Sequence, residues 1–135
     1  YLRGYFAGTD RETVVVLMLN AKNHVIGLST ISIGTLSASL VHPREVFKVA
    51  ILASANSIIM AHNHPSGDPT PSREDHAMTE KIEKAGEILS IPCHDHIVIG
   101  ETTFFSFKTG KTYDFTNSEE KIEFLDSVTL TEPEL

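Results

Sequence analysis

The segment that most constrains this chain is residues 62–76, HNHPSGDPTPSREDH, which follows a short apolar run, SIIMA, at Ser57–Ala61. Pro65, Gly67, Pro69 and Pro71 force a loop over 62–71, and the prolines limit the entropy lost when the loop is fixed. Ser72 suits the N-cap of a helix over roughly 73–89 whose apolar stripe reads Met78, Ile82, Ala85 and Leu89. Asp75, three residues before Met78, belongs to the same stripe. A carboxylate aimed into a protein is costly unless it is paired or bound to a cation. His62 and His64 stand two apart where a buried strand ends, so both rings lie on one side and can converge on one point. Two imidazoles and an inward carboxylate suit a zinc ion (Zn2+), with the fourth tetrahedral position left for water, as in catalytic sites. The plainer reading is a proline-rich surface turn before a helix that Ser72 and Asp75 cap. The inward aim of Asp75 and the paired histidines favour the metal.

The remaining sequence supplies a scaffold for that segment. Glu12–Leu19, ETVVVLML, is apolar on both faces and reads as a buried central strand, with His24–Ile33 as its hairpin partner across the polar turn 20–23. Pro43 opens a helix whose face carries Val46, Val49, Ala50 and Ala53. Ile97–Ile99 and Phe104–Phe107 read as two later strands around a turn at Gly100-Glu101. Strand, strand, helix, strand, helix, strand, strand is the order of a three-layer α/β domain.

With 135 residues and 41% apolar content, one domain with its own core is expected. The longest apolar run, Val14–Leu19, is six residues, whereas a membrane helix needs ~20. A single cysteine, Cys93, forms no internal disulfide, which points to a reducing cytoplasm and excludes a polycysteine zinc finger. The net charge of −7 offers no basic footprint for nucleic acid. Residues 116–135 hold six acids against Lys121 and read as a solvated acidic tail or a partner-docking segment. The chain opens at Tyr1 without methionine, so it reads as a piece of something longer.

A catalytic zinc also calls for a base to take a proton from water. Glu45 sits in a helix's first turn, where the dipole alone accounts for it, and Glu74 points about 100° away from Asp75 around the helix. Glu12 opens the central strand. If that strand runs antiparallel to Ser57–Ala61, its start lies beside His62, which makes Glu12 the candidate base; a solvated strand-end acid is an equal reading of Glu12 alone. Ser72 can donate to an oxygen at the metal and cap the helix as well.

Other histidines are weaker candidates. His94-Asp95-His96, expected on a strand, repeats the spacing without a further inward ligand, and one of its histidines or Asp95 is expected to hydrogen-bond toward the metal loop as support. Cys93 and His94 face opposite ways on a strand and make no thiol dyad. His76 reads as exposed, and His24 and His42 as turn or cap residues. Deaminase and HExxH peptidase signatures are absent.

His62-x-His64, seven residues, Ser72, two residues, Asp75 resembles the JAMM (MPN-type) metalloprotease motif, H-x-H-x7-S-x2-D. HNHPSGDPTPSREDH, VHPREVFK (41–48) and DHIVIG (95–100) resemble the RadC-like branch of that family, over roughly residues 10–108. The resemblance implies zinc held by His62, His64 and Asp75, with Ser72 assisting the water or oxyanion. RETVVVLMLN (11–20) is similar to the family's acid-bearing first strand, which implies Glu12 as the general base. The implied fold is a deaminase-like (JAB/MPN) α/β sandwich, a mixed sheet whose first strand is antiparallel to the rest, with helices on the faces. Residues 1–115 would form the domain. The helix-hairpin-helix module common before it in RadC-like proteins is missing here, which agrees with a fragment. The implied activity is hydrolysis of an amide in a peptide or isopeptide substrate. The alternative is a non-catalytic interaction module in a DNA repair or processing complex, and a nucleic-acid-binding domain is a third reading.

Overall fold

A computed structural model describes residue 2 and residues 11–34 and 41–115. The acidic tail, 116–135, lies outside the described residues. Among the described residues, six strands and two helices follow in order: β1 (Glu12–Leu19), β2 (Val25–Gly34), α1 (Pro43–Leu52), β3 (Ser57–Asn63), α2 (Arg73–Leu89), β4 (Cys93–Ile99), β5 (Thr103–Ser106) and β6 (Lys111–Asp114). They form one mixed sheet in the order β2-β1-β3-β4-β5-β6. β1 is antiparallel to both its neighbours, β3 and β4 are parallel, and β5 and β6 continue the sheet as antiparallel hairpin strands. This is the mixed-sheet α/β architecture that the resemblance implies, with β1 antiparallel to both its neighbours.

The unbroken apolar run of β1 follows from burial on both faces. Val14, Val16 and Met18 pack with Ile58 and Met60 of β3 beneath Val46, Phe47 and Ala50 of α1 and Met78 and Ile82 of α2. Val15, Leu17 and Leu19 face the other way, among Ile59, Ala61, Ile99, Phe104 and Tyr113, with Leu2, Leu28 and Phe115 against them. Both described helices therefore cover one face. Each large apolar side chain buried this way stabilises the fold by roughly 1.5–3 kcal/mol. No helix among the described residues is long and apolar enough to cross a membrane.

Four details depart from the sequence expectation. β3 runs on through Asn63, so His62 belongs to a strand rather than to the loop. β4 joins the His94-Asp95-His96 stretch, expected on a strand, to the apolar run Ile97–Ile99 as one element and begins at Cys93. β6 is an additional strand, carrying only Tyr113 inward. Leu89 does not join the inward stripe of α2; it is 44% exposed, and Thr79 and Gly86 are buried instead. Helical spacing alone keeps 89 on the inward arc with 78 and 82, so its exposure comes from its place as the last residue of α2 rather than from its angle around the helix. Gly86 is required: a Cβ there would lie 2.6 Å from the Ile91 carbonyl oxygen, and the Ile91 N–H donates to the Gly86 carbonyl as the chain turns into β4.

Candidate metal centre

The antiparallel pairing of β1 and β3 sets Val14 opposite His62, with Val16 opposite Met60 and Met18 opposite Ile58. His62 thus continues the row that faces the helices, and it is fully buried. Glu12, two residues before Val14, lies on that same face at the half-buried start of β1. The sequence required this antiparallel arrangement to bring Glu12 beside His62.

Beyond β3 the chain is tied down by its own backbone. The His64 N–H donates to the Ile99 carbonyl, the Gly67 N–H to the His64 carbonyl, and the Glu101 N–H to the Gly67 carbonyl. Gly67 adopts a left-handed φ of 91°, and a Cβ on Gly100 would come within 2.3 Å of the Gly67 oxygen, so the two glycines let loop and turn touch. Asp68 closes a local turn by accepting from the Thr70 N–H and hydroxyl, and its carbonyl lies 2.9 Å from His64 Nδ1. At the start of α2, Ser72 Oγ accepts from the Asp75 N–H at 3.1 Å and Asp75 Oδ2 accepts from the Ser72 N–H at 2.8 Å. The capping arrangement and the inward carboxylate are both real, and one residue serves both.

Three ligating atoms meet where strand, loop and helix converge. His62 Nε2 and His64 Nε2 are 3.1 Å apart, His64 Nε2 is 3.0 Å from Asp75 Oδ2, and His62 Nε2 is 3.1 Å from Asp75 Oδ1. A tetrahedral ion with bonds of ~2.0–2.1 Å sets its ligand atoms roughly 3.3 Å apart, so the three sites lie near the edge of such a tetrahedron. His64 Nδ1, against a carbonyl, has to carry its ring proton, which leaves Nε2 as a bare lone pair facing another ring nitrogen and a carboxylate. Only a cation among them, proton or metal, makes that arrangement favourable. Among the described residues, no other group of three histidine, cysteine or acidic side chains converges in this way.

The electrostatics agree. Burial by itself would raise the Asp75 carboxyl, but the bonded His62 and His64 rings and the Ser72 N–H hold it well below the usual carboxylate range. The bond to Asp75 raises the His64 ring above its ordinary value against the opposing effect of burial, with the Asp68 carbonyl and the charge of Glu12 adding to it. Glu12 is therefore near enough for its charge to act at the cluster. Ser72 is exposed at the rim, and its hydroxyl, already accepting from the Asp75 N–H, keeps its own proton to donate.

Of the second H-x-H, His96 alone turns toward the cluster: its Nε2 lies 2.7 Å from His62 Nδ1. Burial pushes this ring's proton affinity well below the ordinary value, and Phe107 stacks on it at 4.8 Å. Asp95 instead ties β4 to the β5–β6 turn, accepting from the His96 and Lys108 N–H groups and the Ser106 hydroxyl. Burial pushes the Cys93 thiol up to about 12, so it is no nucleophile. His76 is exposed against the edge of Phe107, His24 lies in the turn before β2, and His42 is the N-cap of α1.

Two residues escaped the sequence reading. Asn63, between the two ligand histidines, accepts from the Thr13 N–H at 2.7 Å and donates to the Arg11 carbonyl at 2.9 Å, so it grips the backbone on both sides of Glu12. Thr79 bonds the Asp75 carbonyl and His96. Its position one helical turn after Asp75 was a usable signal; Asn63 gave none beyond being a polar residue at a strand end.

The sequence profile of the RadC-like JAB domain matches residues 1–112. The chain belongs to the RadC-like JAB domain family. Similar proteins include a UPF0758 protein of Desulforamulus reducens, 59% identical over 100 residues that make up 74% of this chain and 44% of that one. A UPF0758 protein of Rubrobacter xylanophilus is 58% identical over 79% of this chain and 47% of its own length. One of Thermotoga maritima is 50% identical over 73% of this chain and 45% of its own length. The chain spans about half the length of the curated relatives it matches. In this RadC-like JAB domain, His62, His64 and Asp75 form a group able to hold a metal ion.

Proposed function

We propose that this domain is a zinc-dependent hydrolase of amide bonds, acting on a peptide or isopeptide substrate. The observation that carries the reading is the convergence of three ligating atoms within 3.0–3.1 Å of one another, with Glu12 on the same face and Ser72 at the rim. Bound there, a zinc ion supplies Lewis acidity for a scissile carbonyl and lowers the pKa of an attacking water toward ~7. Glu12 accepts the water's proton and returns it to the departing amine. Ser72 donates its free hydroxyl proton to the oxygen that gains negative charge. His62, His64 and Asp75 are fixed before any substrate arrives, because strand, loop and helix cap each hold one of them by backbone hydrogen bonds. Nitrogen and carboxylate ligands in a three-residue set suit zinc.

The test is zinc stoichiometry of the purified domain, with turnover of peptide and isopeptide libraries by the wild type and by Glu12→Gln. One zinc per chain, measurable cleavage, and loss of cleavage with retained zinc in Glu12→Gln support the reading. A chain that takes up no zinc ends it. Full zinc occupancy without cleavage of any library member favours the interaction module in a DNA-processing complex instead.

A further inference from the structure

We propose that Thr79 and His96 are positioning residues that select the ring form of His62 in which Nε2 is bare and available to the metal. The proposal rests on the metal reading above and adds to it two residues that touch neither ion nor substrate.

With the Thr79 hydroxyl donating to the Asp75 carbonyl, the chain of bonds runs in one direction. The Thr79 hydroxyl lies 2.9 Å from the Asp75 carbonyl oxygen, which can only accept, so the single hydroxyl proton is spent there. Thr79 Oγ1 is then an acceptor toward His96 Nδ1, which must carry its proton. His96 Nε2 is left with a lone pair, and the atom facing it at 2.7 Å is His62 Nδ1. His62 donates from Nδ1, and its Nε2 is left without a proton. Reversing every bond would put a proton on His62 Nε2, 3.1 Å from both His64 Nε2 and Asp75 Oδ1, in the space the ion needs.

No water can substitute in this chain. His62 is fully buried, His96 is 1% exposed and Thr79 is 7% exposed. The Phe107 ring, 6° from parallel to His96, holds that ring in plane. The bonds also close a loop. They begin at the backbone of Asp75 and end at the ring that faces its carboxylate, so helix α2 sets both the position of one ligand and the proton of another. A metal-bound histidine commonly donates its second nitrogen to a carboxylate, carbonyl or water; here a neutral histidine takes that place and needs Thr79 to set its own proton.

Two measurements test this. In zinc-loaded wild type, nitrogen-15 NMR of the imidazoles is expected to show His62 and His96 both protonated at Nδ1. Thr79→Val, which keeps the shape and removes the hydroxyl, is expected to weaken zinc binding by ~10–100-fold in a chelator competition. Thr79→Ser restores the hydroxyl and is expected to bind within about threefold of wild type by the same criterion. A zinc-loaded His96 protonated at Nε2 overturns the proposal, as does a folded Thr79→Val with wild-type zinc affinity. The NMR measurement needs no variant, so it decides the matter even if Thr79→Val does not fold. A wild-type chain that takes up no zinc overturns both this proposal and the metal reading; zinc binding unaffected by Thr79 overturns this one alone.

Discussion

Replacing Asn63 with alanine isolates the clasp that fixes the start of β1. The side chain makes two bonds, accepting from the Thr13 N–H at 2.7 Å and donating to the Arg11 carbonyl at 2.9 Å. Losing the first costs far more than losing the second. Thr13 is 7% exposed, so its N–H is left buried without a partner, a loss of about 1–3 kcal/mol. Arg11 is exposed, so water replaces the amide on its carbonyl at little net loss. The expected destabilisation is about 2 kcal/mol, nearly all from the Thr13 side. For a domain of this size that lowers the melting temperature by roughly 5–10 °C. The assay is urea unfolding followed by circular dichroism, in excess chelator so that metal binding does not enter, with the midpoint shifting at constant slope. Because the two bonds straddle Glu12, the variant is also expected to bind zinc normally while losing amide turnover. A stability loss below about 0.5 kcal/mol would mean that the Thr13 N–H finds another partner, and the clasp account would be wrong.

The geometry sets three further outcomes. Gly100→Ala drives a Cβ to 2.3 Å from the Gly67 carbonyl oxygen, so the loop carrying His64 must move, and zinc affinity is expected to fall at least ~10-fold in the same chelator competition. Cys93, with its thiol pushed up to about 12, is expected to resist iodoacetamide at pH 8 in the folded protein and to react within minutes in urea, as read by mass spectrometry. The pH dependence of the metal-free form is set by opposed groups. Asp75 is held low, so its contribution is present above the ordinary carboxylate value and is lost as pH falls toward the depressed one. His64 is held high, so its contribution is present below the ordinary imidazole value and is lost as pH rises through the raised one. Those two contributions are both present at about pH 4–6.5, but buried His96, held neutral, removes stability as pH falls below the ordinary imidazole value, so the metal-free form is expected to be most stable near the top of that range. The increment in melting temperature produced by zinc, which needs bare imidazoles, should grow from pH 5.5 to 7.5, as scanning calorimetry can read.

What the sequence made legible was whatever one element determines by itself. The six-residue apolar run of β1 reads directly as a strand buried on both faces, and Asp75 reads as inward because helical spacing ties it to Met78 and Ile82. What it hid depends on partners distant along the chain. The Cys93-His94-Asp95-His96 stretch of β4 reads as strand, but what satisfies so polar a stretch does not: Asp95 finds Ser106 and Lys108, and His96 finds His62 and Thr79. β6 has a single inward side chain, Tyr113, and exists because β5 offers it an edge to pair with. Leu89 misled because its angle around the helix is inward, while its place at the last residue of α2 leaves it 44% exposed. Asn63 lay unread because an amide between two histidines has no period. Its role appears only when β1 is seen antiparallel to β3, with Thr13 and Arg11 brought against it.

The measurement that bears most directly on the central claim is an anomalous-difference map from zinc-loaded crystals, recorded on either side of the zinc absorption edge. One peak is expected at ~2.0–2.2 Å from His62 Nε2, His64 Nε2 and an Asp75 carboxylate oxygen, with a fourth position open to solvent on the side of Glu12 and Ser72. An absent peak, or one whose four positions are all filled by side chains of the protein, would contradict the account.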